Sequence, residues 1–486
     1  MTPFLIALVT LVAGYFLYGA LVEKVFATDS SRPTPAKSMA DGIDYVEIPT
    51  WKVFLIQFLN IAGVGPIFGA IMGVMYGPAA FIWIVLGTIF AGAVHDFVSG
   101  MISVRMNGKS LPEIVGSELG RKVKAVMSIL TCVLLLMVVA VFVRTPAGLL
   151  ATLTPEHLDV TFWAGCIFLY YILATLLPVD KLIGNLYPLF GFALLFMAAG
   201  IMGYMMFNGI EIPTGFEAGM YNRHPSGDNA PILPMMCISI ACGAISGFHA
   251  TQSPMMARCL KNERYGRPVF YGAMISEGIV ALIWAAAAIA FTGGYEGLSG
   301  YMASNGADAG LLVHDVCVKW LGTFGGILAI LGVIAAPITT GDTAMRSLRL
   351  VVADYIGLSQ TKFAKRMMVT LPIVAICFVL LNINFDVLWR YFAWCNQTLS
   401  IFTLWACTVY LARHGKVYAI TMIPAMFMTW LCVTFICYAP TGAYMEGVGI
   451  PLAASRVAGA VATAVSTAVF YMWKKTLSPA NVAVRE

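Results

Sequence analysis

The chain contains 486 residues, of which 60% are hydrophobic and 11% are charged, and its mean hydropathy is +0.84. A water-soluble domain of this length does not carry so much apolar surface, so these values exclude a soluble globular protein. The net charge of +5 is small for the length and gives no reason to expect a nucleic-acid partner. We expect a lipid bilayer to be the solvent for most of the residues.

The apolar segments are long enough to cross a bilayer as helices, which takes about 20 residues, and they lack the alternation of barrel strands. Hydropathy, with Gly, Pro and charged residues as punctuation, predicts thirteen spans. In chain order, spans 1 to 13 cover residues 4–22, 51–76, 78–104, 123–143, 158–177, 183–207, 231–256, 268–292, 323–341, 366–384, 387–411, 417–438 and 452–473. Because no basic segment precedes span 1 and no small-residue cleavage site follows it, we interpret it as a retained helix.

Lysine and arginine are distributed unevenly between the two sides that these spans define. With the N-terminus outside, 24 of the 29 Lys and Arg residues fall on the cytoplasmic side. Cytoplasmic loops are the ones enriched in these residues, so the distribution predicts an outside N-terminus and a cytoplasmic C-terminus. The eleven cysteines lie almost entirely in apolar segments without CxxC spacing, and we predict that they are reduced.

Spans 2 and 7 are each interrupted by residues that disfavour a continuous helix. Span 2 contains Gly63, Gly65 and Pro66, and span 7 contains the polar, glycine-rich segment 243–254. Glycine permits non-helical backbone angles and proline removes an N–H donor, so each break leaves unpaired peptide groups in the membrane. Such groups are tolerated where they line a cavity or bind a ligand. The alternative is a glycine-rich helix that packs closely against its neighbours.

The interrupted spans occupy matching positions in two sets of five spans. Residues 51–207 form the first predicted repeat and residues 208–411 the second, which starts on the opposite side of the membrane because five is odd. Residues 1–50 then supply a peripheral first helix and a cytoplasmic linker, and residues 412–486 supply two peripheral helices and a cytoplasmic tail. This layout predicts an all-α polytopic protein with a LeuT-like (APC-type) 5+5 inverted repeat, in which substrate and ion lie at two broken helices.

Ionisable side chains within membrane spans are costly, and we treat the few present as candidates for cation or proton coupling. Hydroxyl and backbone oxygens suit a small hard cation, so the end of span 9 and the first break together predict a Na⁺ site. The coupling candidates are Ala62, Val64, Thr339 and Thr340 for Na⁺, and Asp96, Glu277 and Asp342 for a proton.

Each charged candidate also has a structural interpretation. Asp342 is one helical turn before Arg346, so the two side chains can form an ion pair at the cytoplasmic helix end. Glu277 is interpreted equally well as a proton carrier and as a neutral, hydrogen-bonded strut. For His95 and Asp96, the alternative is a structural pairing with Arg105 or with a basic loop.

The two breaks also carry residues suited to a carboxylate substrate. The predicted substrate contacts are Gly63, Gly65, Pro66, Ser246, Gly247, His249, Thr251 and Gln252. A hydrogen-bonded histidine without a ligand is the alternative for His249. In span 11, we predict that Trp394, Asn396 and Gln397 gate the cavity, with ordinary interhelical hydrogen bonding as the alternative.

The motifs of soluble enzymes are absent from the sequence. No P-loop or HExxH segment occurs, and the glycines of segment 63–69 lack the dinucleotide-binding spacing. Ser246 and His249, three residues apart, have no GxSxG context. We therefore predict neither an enzyme nor an ATP-driven pump, and no cofactor apart from Na⁺ or H⁺ as the coupling ion.

Five motifs, in order, resemble the carbon starvation protein A family. They are Asn60-Ile-Ala-Gly63-Val-Gly65-Pro66; Gly92-Ala-Val-His95-Asp96-Phe97; Ser103-Val-Arg105 with Gly108-Lys-Ser-Leu111; Ser246-Gly247-Phe248-His249-Ala250; and Thr339-Thr-Gly-Asp342-Thr-Ala-Met-Arg346. The match runs from about residue 50 to residue 410, and the chain is similar to the shorter branch of the family. Where the family often has Gln before the Asp of span 3, this chain has His95.

The resemblance implies a bacterial inner-membrane importer of pyruvate or peptides that is used during carbon starvation and is energised by a cation gradient. We accordingly expect a secondary transporter that moves a small carboxylate-bearing nutrient by cation-coupled alternating access. A channel or a nutrient sensor built on the same cavity is the alternative. The residues leave open the choice between pyruvate and peptides, the choice between Na⁺ and H⁺, and the oligomeric state.

Overall fold

A computed structural model of the chain describes residues 1–42, 45–174, 179–305, 309–358, 363–383, 385–439 and 448–477. Over these residues the protein is helical, and no β-strand occurs among them. The composition explains this result, because a helix pairs its peptide groups within its own segment and so satisfies them in lipid.

The first half of the chain forms eleven α-helices, several of which join across short kinks. They are α1 (Thr2–Phe16), α2 (Tyr18–Phe26), α3 (Pro35–Ser38), α4 (Thr50–Ala62), α5 (Gly65–Val74), α6 (Ala79–Gly87), α7 (Ala93–Arg105), α8 (Leu111–Leu119), α9 (Arg121–Leu153), α10 (Val160–Ala174) and α11 (Val179–Phe207). A π-helical turn, Thr88–Gly92, connects α6 to α7 within one predicted span.

The second half of the chain forms ten further α-helices in the described residues. They are α12 (Cys237–Ile240), α13 (His249–Ala257), α14 (Gly272–Thr292), α15 (Tyr295–Ser304), α16 (Ala309–Ala329), α17 (Ala336–Ile356), α18 (Phe363–Leu380), α19 (Phe385–Arg413), α20 (Ala419–Tyr438) and α21 (Leu452–Lys475).

Nine helical segments among the described residues are long and apolar enough to cross a membrane, and α4 with α5 adds a tenth as a bent pair. Two shorter apolar helices, Val160–Ala174 and Ile232–Gly243, lie where spans 5 and 7 were expected. The prediction of a polytopic all-α membrane protein is confirmed. The count of thirteen spans, the boundaries of the two repeats and their inverted relation stay predictions.

Span 9, expected at residues 323–341, begins where the structure has a break, but helix also precedes the break and continues beyond residue 341. α16 is interrupted at Gly322, whose φ of 63° and ψ of −153° are not helical. A Cβ placed on Gly325 would lie 2.1 Å from the carbonyl oxygen of Cys317, so the chain turns back sharply here. The helix that follows runs on to Ile356 as α17. The hydropathy pattern predicted an end of span 9 at residue 341 because the residues that follow are charged. Asp342 among them is nevertheless fully buried.

Both expected helix interruptions are present. α4 and α5 meet at a bend of 46°, and Gly63 between them has a φ of 42°, a region that favours glycine. The second break covers residues 244–248, between a 3₁₀ turn that ends at Gly243 and the start of α13. The halves pack crosswise, since α4 contacts α13 and α5 contacts α12. The two breaks therefore lie side by side in the interior, with α7, α14, α17 and α19 packed around them.

Candidate functional site

Four ionisable side chains from three helices meet beside the second break. Nδ1 of His95 lies 2.7 Å from one oxygen of the Asp96 carboxylate, and Nδ1 of His249 lies 2.8 Å from the other. Nε2 of His249 is 3.4 Å from a carboxylate oxygen of Glu277. All four side chains are 0% exposed. We call His95, Asp96, His249 and Glu277 the central cluster.

The helices bring the central cluster together through one close backbone contact. α7, which carries His95 and Asp96, approaches the second break so closely that a Cβ on Gly92 would lie 2.2 Å from the carbonyl oxygen of Ala244. His249 is the first residue of α13, directly after the break, and Glu277 lies within α14. A residue larger than glycine at position 92 would hold Asp96 away from His249.

The central cluster is chemically suited to exchange a proton. A buried carboxylate is tolerated when a cation or a hydrogen-bond donor faces it, and two imidazoles and two carboxyl groups in contact offer several proton arrangements with paired charges. Nε2 of His95 and both oxygens of Glu277 have no hydrogen-bond partner among the described residues. The protonation of each group in the cluster therefore depends on the others. Atoms at both ends of the cluster remain available for a further hydrogen bond.

One structural alternative for these residues was wrong. The sequence suggested Arg105 as the structural partner of Asp96, but Arg105 pairs with Glu263 at 3.0 Å. Asp96 instead contacts His249, 153 residues away along the chain. Glu277, for which the sequence indicated no partner, faces His249. Nearness in sequence favoured the wrong partner, because helix packing and not chain distance decides which groups meet.

The first break lies against Thr340 of α17. The Thr340 hydroxyl donates a hydrogen bond of 3.0 Å to the carbonyl oxygen of Leu59, in the last turn of α4. Thr339, one residue earlier, donates to the carbonyl oxygen of Ala336 at 2.8 Å. Ala62 and Val64, on either side of Gly63, are fully buried. The structure therefore places the predicted Na⁺ residues around one break.

Asp342 pairs with an arginine of its own helix. Both of its carboxylate oxygens lie 3.2 Å from Nε of Arg346, so the ion pair considered from the sequence is present. The pair lies in the middle of α17 and not at a helix end, because the helix runs on to Ile356. Arg346 also donates to the carbonyl oxygen of Ala174 at the end of α10. This pair ties α17 to α10 in the interior.

The second break is held by Asn396 of α19, one of the predicted gate residues. Its side-chain oxygen accepts hydrogen bonds from the Ser246 hydroxyl at 2.9 Å and from the Phe248 backbone N–H at 2.7 Å. Its backbone carbonyl accepts from the N–H of Gly247 at 3.0 Å. Peptide groups that the break leaves open are thus paired by one residue of a neighbouring helix.

The two other predicted gate residues lie in different surroundings. The side-chain amide of Gln397 donates to the carbonyl oxygen of Cys237 at 2.6 Å, on the outer half of span 7. Trp394 donates its indole N–H to the carbonyl oxygen of Cys432 on α20, at 3.2 Å. The structure therefore brings Asn396 and Gln397 to the second broken helix but places Trp394 against a peripheral helix.

The remaining predicted substrate residues line the breaks. Gly65 and Pro66 begin α5 and are buried, and Gly65 lies against the thiol of Cys242. Thr251 donates to the carbonyl oxygen of Phe248 at 2.6 Å. The side-chain amide of Gln252 donates to the Thr251 hydroxyl at 2.9 Å.

Several buried amide atoms next to the breaks have no hydrogen-bond partner among the described residues. They are both amide atoms of Asn60 and the side-chain oxygens of Gln57 and Gln252. A buried polar atom without a partner costs about 1–3 kcal/mol, so these atoms point to a place where a polar guest binds. Asn60 and Gln57 were not among the predicted site residues. A polar residue just before a glycine break in an apolar span is the signal that would have found Asn60.

The thiol of Cys242 lies in the same region. Its sulfur, a ring nitrogen of His249 and a Glu277 oxygen are all within 4.8 Å of one another. The sulfur accepts from the side-chain amide of Asn396 at 3.4 Å and lies 3.7 Å from the Ser246 hydroxyl. We assign Cys242 to the hydrogen-bonded support of the second break.

A cavity of about 220 Å³ lies between the halves of the broken helices that face the predicted outside. We call it the outer cavity. It is lined by Met72, Met75, Tyr76, His224, Ser226, Asn229, Ala230, Met235, Ile238, Ser239, Trp389, Arg390, Ala393 and Phe435.

An aromatic layer separates the outer cavity from the first break. Phe68 and Trp389 have ring centroids 6.2 Å apart, Trp389 and Phe392 are 5.4 Å apart, and Phe392 and Phe142 are 6.1 Å apart. Phe142 in turn lies against Gly63, since a Cβ on that glycine would be 2.9 Å from its ring. The described residues thus place side chains of α5, α9 and α19 between the outer cavity and the breaks.

Solved transporters share this fold over most of their length. A manganese transporter of Eremococcus coleocola superposes with a TM-score of 0.58 at 13% identity, over 90% of this chain and 98% of that one. A Na⁺-coupled sialic acid symporter superposes with a TM-score of 0.54 at 13% identity, over 97% of this chain and 98% of that one.

Sequence relatives include proteins with functional names. An uncharacterized membrane protein of Haemophilus influenzae is 43% identical over 336 residues, or 59% of this chain and 90% of that protein. The peptide transporter CstA of Mycobacterium tuberculosis is 28% identical over 56% of this chain and 44% of its own length. The pyruvate/proton symporter BtsT of Escherichia coli is 28% identical over 61% of this chain and 49% of its own length.

The chain matches about half the length of each of these two named relatives. Their names support transport as the general function of this multi-pass membrane protein. The family profile described as "Carbon starvation protein CstA" matches residues 1–158 and 151–316. Because those matches cover more than half of the sequence, the chain belongs to the carbon starvation protein CstA family.

Proposed function

We propose that the protein is a secondary active transporter of the bacterial inner membrane that imports a small carboxylate-bearing nutrient together with a proton. The observation that carries this proposal is the central cluster, in which His249 of the second broken helix faces Asp96 on one side and Glu277 on the other. Alternating access moves the broken helices, and a proton held there is moved with the substrate.

The electrostatics of the buried cluster link the proton to an anionic substrate. A carboxylate brought next to the cluster adds negative charge to a region of low dielectric, where net charge is costly. Uptake of one proton by the cluster offsets that charge. Proton and substrate therefore bind more tightly together than apart, which is the thermodynamic condition for symport.

We place the substrate between the two breaks. The unpartnered amide atoms of Asn60, Gln57 and Gln252 offer donors and acceptors there. α5 and α13 both begin at the breaks, and helix N-termini carry partial positive charge that favours a carboxylate. Ser246, Gly247, His249 and Thr251 provide further contacts on the second break.

Na⁺ is the second candidate for the coupling ion. Thr340 contacts the Leu59 carbonyl oxygen at the first break, and hydroxyl and carbonyl oxygens are the ligands that Na⁺ takes. If Na⁺ is the coupling ion, it is held by Ala62, Val64, Thr339 and Thr340. The central cluster then has a supporting role. The named relatives make pyruvate and short peptides the first substrates to test, in the setting of carbon starvation.

Uptake by proteoliposomes tests the proposal. We expect labelled pyruvate or a labelled dipeptide to accumulate against its gradient when the outside is acidic. Glu277→Gln and Asp96→Asn should each reduce gradient-driven accumulation at least about tenfold. Exchange of labelled for unlabelled substrate should persist in both variants, because exchange needs no net proton movement. Glu296→Gln is the matched control, since this exposed carboxylate lies outside the cluster.

The outcomes separate the alternatives. Accumulation that follows a Na⁺ gradient, is lost in Thr340→Ala and survives in Glu277→Gln would replace the proton by Na⁺. Equilibration without accumulation would indicate a channel. Binding of substrate without any movement of label would indicate a sensor. Unchanged accumulation in both carboxylate variants, with no Na⁺ dependence, would remove the central cluster from the coupling mechanism.

A further inference from the structure

The second break carries a thiol that the proposed transport mechanism does not use. Cys242 lies in the 3₁₀ turn Ala241–Gly243, just before the break, and His249 begins α13 just after it. The Cys242 sulfur, a ring nitrogen of His249 and a carboxylate oxygen of Glu277 lie within 4.8 Å of one another. All three residues are buried, and Glu277 comes from a neighbouring helix, α14. Three groups that ligate transition metals thus face one another in the interior.

The spacing of these groups matches a tetrahedral metal site. Nε2 of His249 lies 3.4 Å from a carboxylate oxygen of Glu277, and neither atom has a hydrogen-bond partner among the described residues. In a tetrahedral zinc site, Zn–N and Zn–O bonds of about 2.0–2.2 Å put neighbouring nitrogen and oxygen ligands about 3.4 Å apart. The two atoms are therefore separated as two ligands of one ion, and a bound ion would satisfy both of them.

The ring of His249 is oriented as in metal sites. A histidine that ligates a metal through one ring nitrogen typically donates the N–H of the other to a carboxylate. Nδ1 of His249 lies 2.8 Å from the Asp96 carboxylate, which leaves Nε2 to face Glu277. His95 contacts the other oxygen of Asp96 at 2.7 Å, so the carboxylate that orients the ring is itself held in place.

Asn396 supports the sulfur. Its side-chain oxygen accepts the backbone N–H of Phe248 at 2.7 Å, and its NH₂ group donates to the Cys242 sulfur at 3.4 Å. A hydrogen bond donated to sulfur stabilises a thiolate, which is the form that ligates metals. Thiolate and imidazole ligands select Zn²⁺ and similar cations, whereas Mg²⁺, Ca²⁺ and Mn²⁺ prefer oxygen ligands. One thiolate and one carboxylate also offset the double charge of the ion in the buried site.

We propose that Cys242, His249 and Glu277 form a binding site for Zn²⁺, and that the bound ion blocks transport. The ion joins both sides of the second break to α14 and occupies two groups of the central cluster. Because its ligands are buried, it enters when the helices around the break move apart. Three protein ligands leave the fourth position to water or another small ligand. The binding site is independent of the proposed function, whereas the block of transport rests on it.

Equilibrium dialysis measures binding without transport. Purified protein in detergent, reduced with a phosphine, should retain about one Zn²⁺ per chain, and excess Mg²⁺ or Ca²⁺ should not displace it. Cys242→Ser should weaken binding by more than about tenfold, and Asp96→Asn, which removes the carboxylate that orients His249, by about tenfold. Cys237→Ser is the matched control, because this buried cysteine of α12 lies outside the group. Elution of each variant as a folded species on size-exclusion chromatography precedes the dialysis.

X-ray absorption of the zinc-loaded wild type identifies the ligands without any variant. We expect one sulfur at about 2.3 Å from the metal, with the remaining nitrogen and oxygen ligands at about 2.0–2.2 Å. Cys242→Ser, loaded at a higher Zn²⁺ concentration, should lack the sulfur. This measurement does not depend on the stability of a variant, since the wild-type spectrum already reports whether a thiolate binds the ion.

Uptake by proteoliposomes tests the block of transport. Zn²⁺ should inhibit uptake of labelled pyruvate or dipeptide by wild type, and a chelator should restore it. Inhibition is expressed relative to the rate of each variant without zinc, because Cys242→Ser also changes the support of the break. Half-inhibition of Cys242→Ser should need more than about tenfold more Zn²⁺ than wild type, and Cys237→Ser should be as sensitive as wild type.

The results distinguish failure of this inference from failure of the proposed function. Equal Zn²⁺ binding by wild type and Cys242→Ser, or a metal without a sulfur ligand, would overturn the site even if substrate accumulates normally. A bound ion that leaves uptake unchanged would overturn the block of transport. Zinc binding that depends on Cys242, in a protein that moves no labelled substrate, would support the site and refute the proposed function.

Discussion

The buried carboxylates of the described spans are each matched by a group that can carry positive charge. Asp96 faces two histidines, Glu277 faces His249, and Asp342 faces Arg346. The carboxylates of Asp96 and Glu277 are suited to proton exchange, because an imidazole in contact with a carboxyl group can give up or accept a proton. A guanidinium remains charged, so the Asp342–Arg346 pair is suited to hold structure rather than to exchange protons.

Replacing Asp342 tests that distinction. Asp342→Asn leaves the Arg346 charge buried without its carboxylate, and we expect a loss of about 3–5 kcal/mol in stability, measured as earlier thermal aggregation in detergent. The double variant Asp342→Asn with Arg346→Gln should recover part of that loss and retain coupled uptake. If Asp342→Asn has normal stability but has lost coupled uptake, Asp342 is an ion-coupling residue instead.

At the scale of elements, the second break depends on how closely three helices approach it. Thr88 of the π-helical turn donates to the Gly243 carbonyl oxygen at 3.1 Å, and Asn396 of α19 pairs with the peptide groups of Gly247 and Phe248. The break is thus stabilised from outside its own span. Such an arrangement keeps the segment ordered while leaving His249 free to face Asp96.

Gly247→Ala probes this packing. The added Cβ would lie 2.4 Å from the backbone oxygen of Asn396 and 2.4 Å from the backbone nitrogen of Ser400, so α19 must move away. We expect a cost of about 1–3 kcal/mol in stability and a strong loss of uptake. Gly165→Ala is the control, because nothing lies within 4 Å of its Cβ on exposed α10. Equal uptake in both variants would show that the contact with α19 is dispensable.

At the scale of the whole molecule, the distribution of Lys and Arg predicts the orientation of every loop. That orientation places the outer cavity outside and the Arg105–Glu263 pair in the cytoplasm. The crosswise contacts of α4 with α13 and of α5 with α12 agree with halves that run in opposite directions. The 5+5 inverted repeat remains a prediction, and the orientation of the loops can be measured directly.

Labelling of cysteines in intact cells measures the orientation. We expect a membrane-impermeant maleimide to label Asn208→Cys in intact cells, and Lys109→Cys only after permeabilisation, because the two exposed positions lie on opposite sides in the predicted topology. The parent protein provides the background from its native cysteines. The reverse pattern would invert the assignment of the outer cavity, and labelling of both in intact cells would contradict the count of spans between them.

Local chemistry made several features predictable from the sequence. Apolar length predicts membrane helices, glycine and proline disrupt helical pairing wherever they cluster, and a charged residue in an apolar span stands out against its neighbours. Asp96, Glu277, His249 and both breaks were therefore visible without a structure. The helical segment before Gly322 was not, since residues 309–321 include charged and polar side chains and were assigned to the loop before span 9.

A membrane-embedded helical chain with two interrupted spans is predictable from the residues alone, because burial in lipid and helix disruption depend on nearby residues. Helix packing, in contrast, brings His249 to both Asp96 and Glu277, places Asn396 against the second break and puts Arg390 on the wall of a cavity. These contacts join residues far apart in the chain. They depend on the positions and rotations of packed helices, which are set by the summed contacts of many side chains.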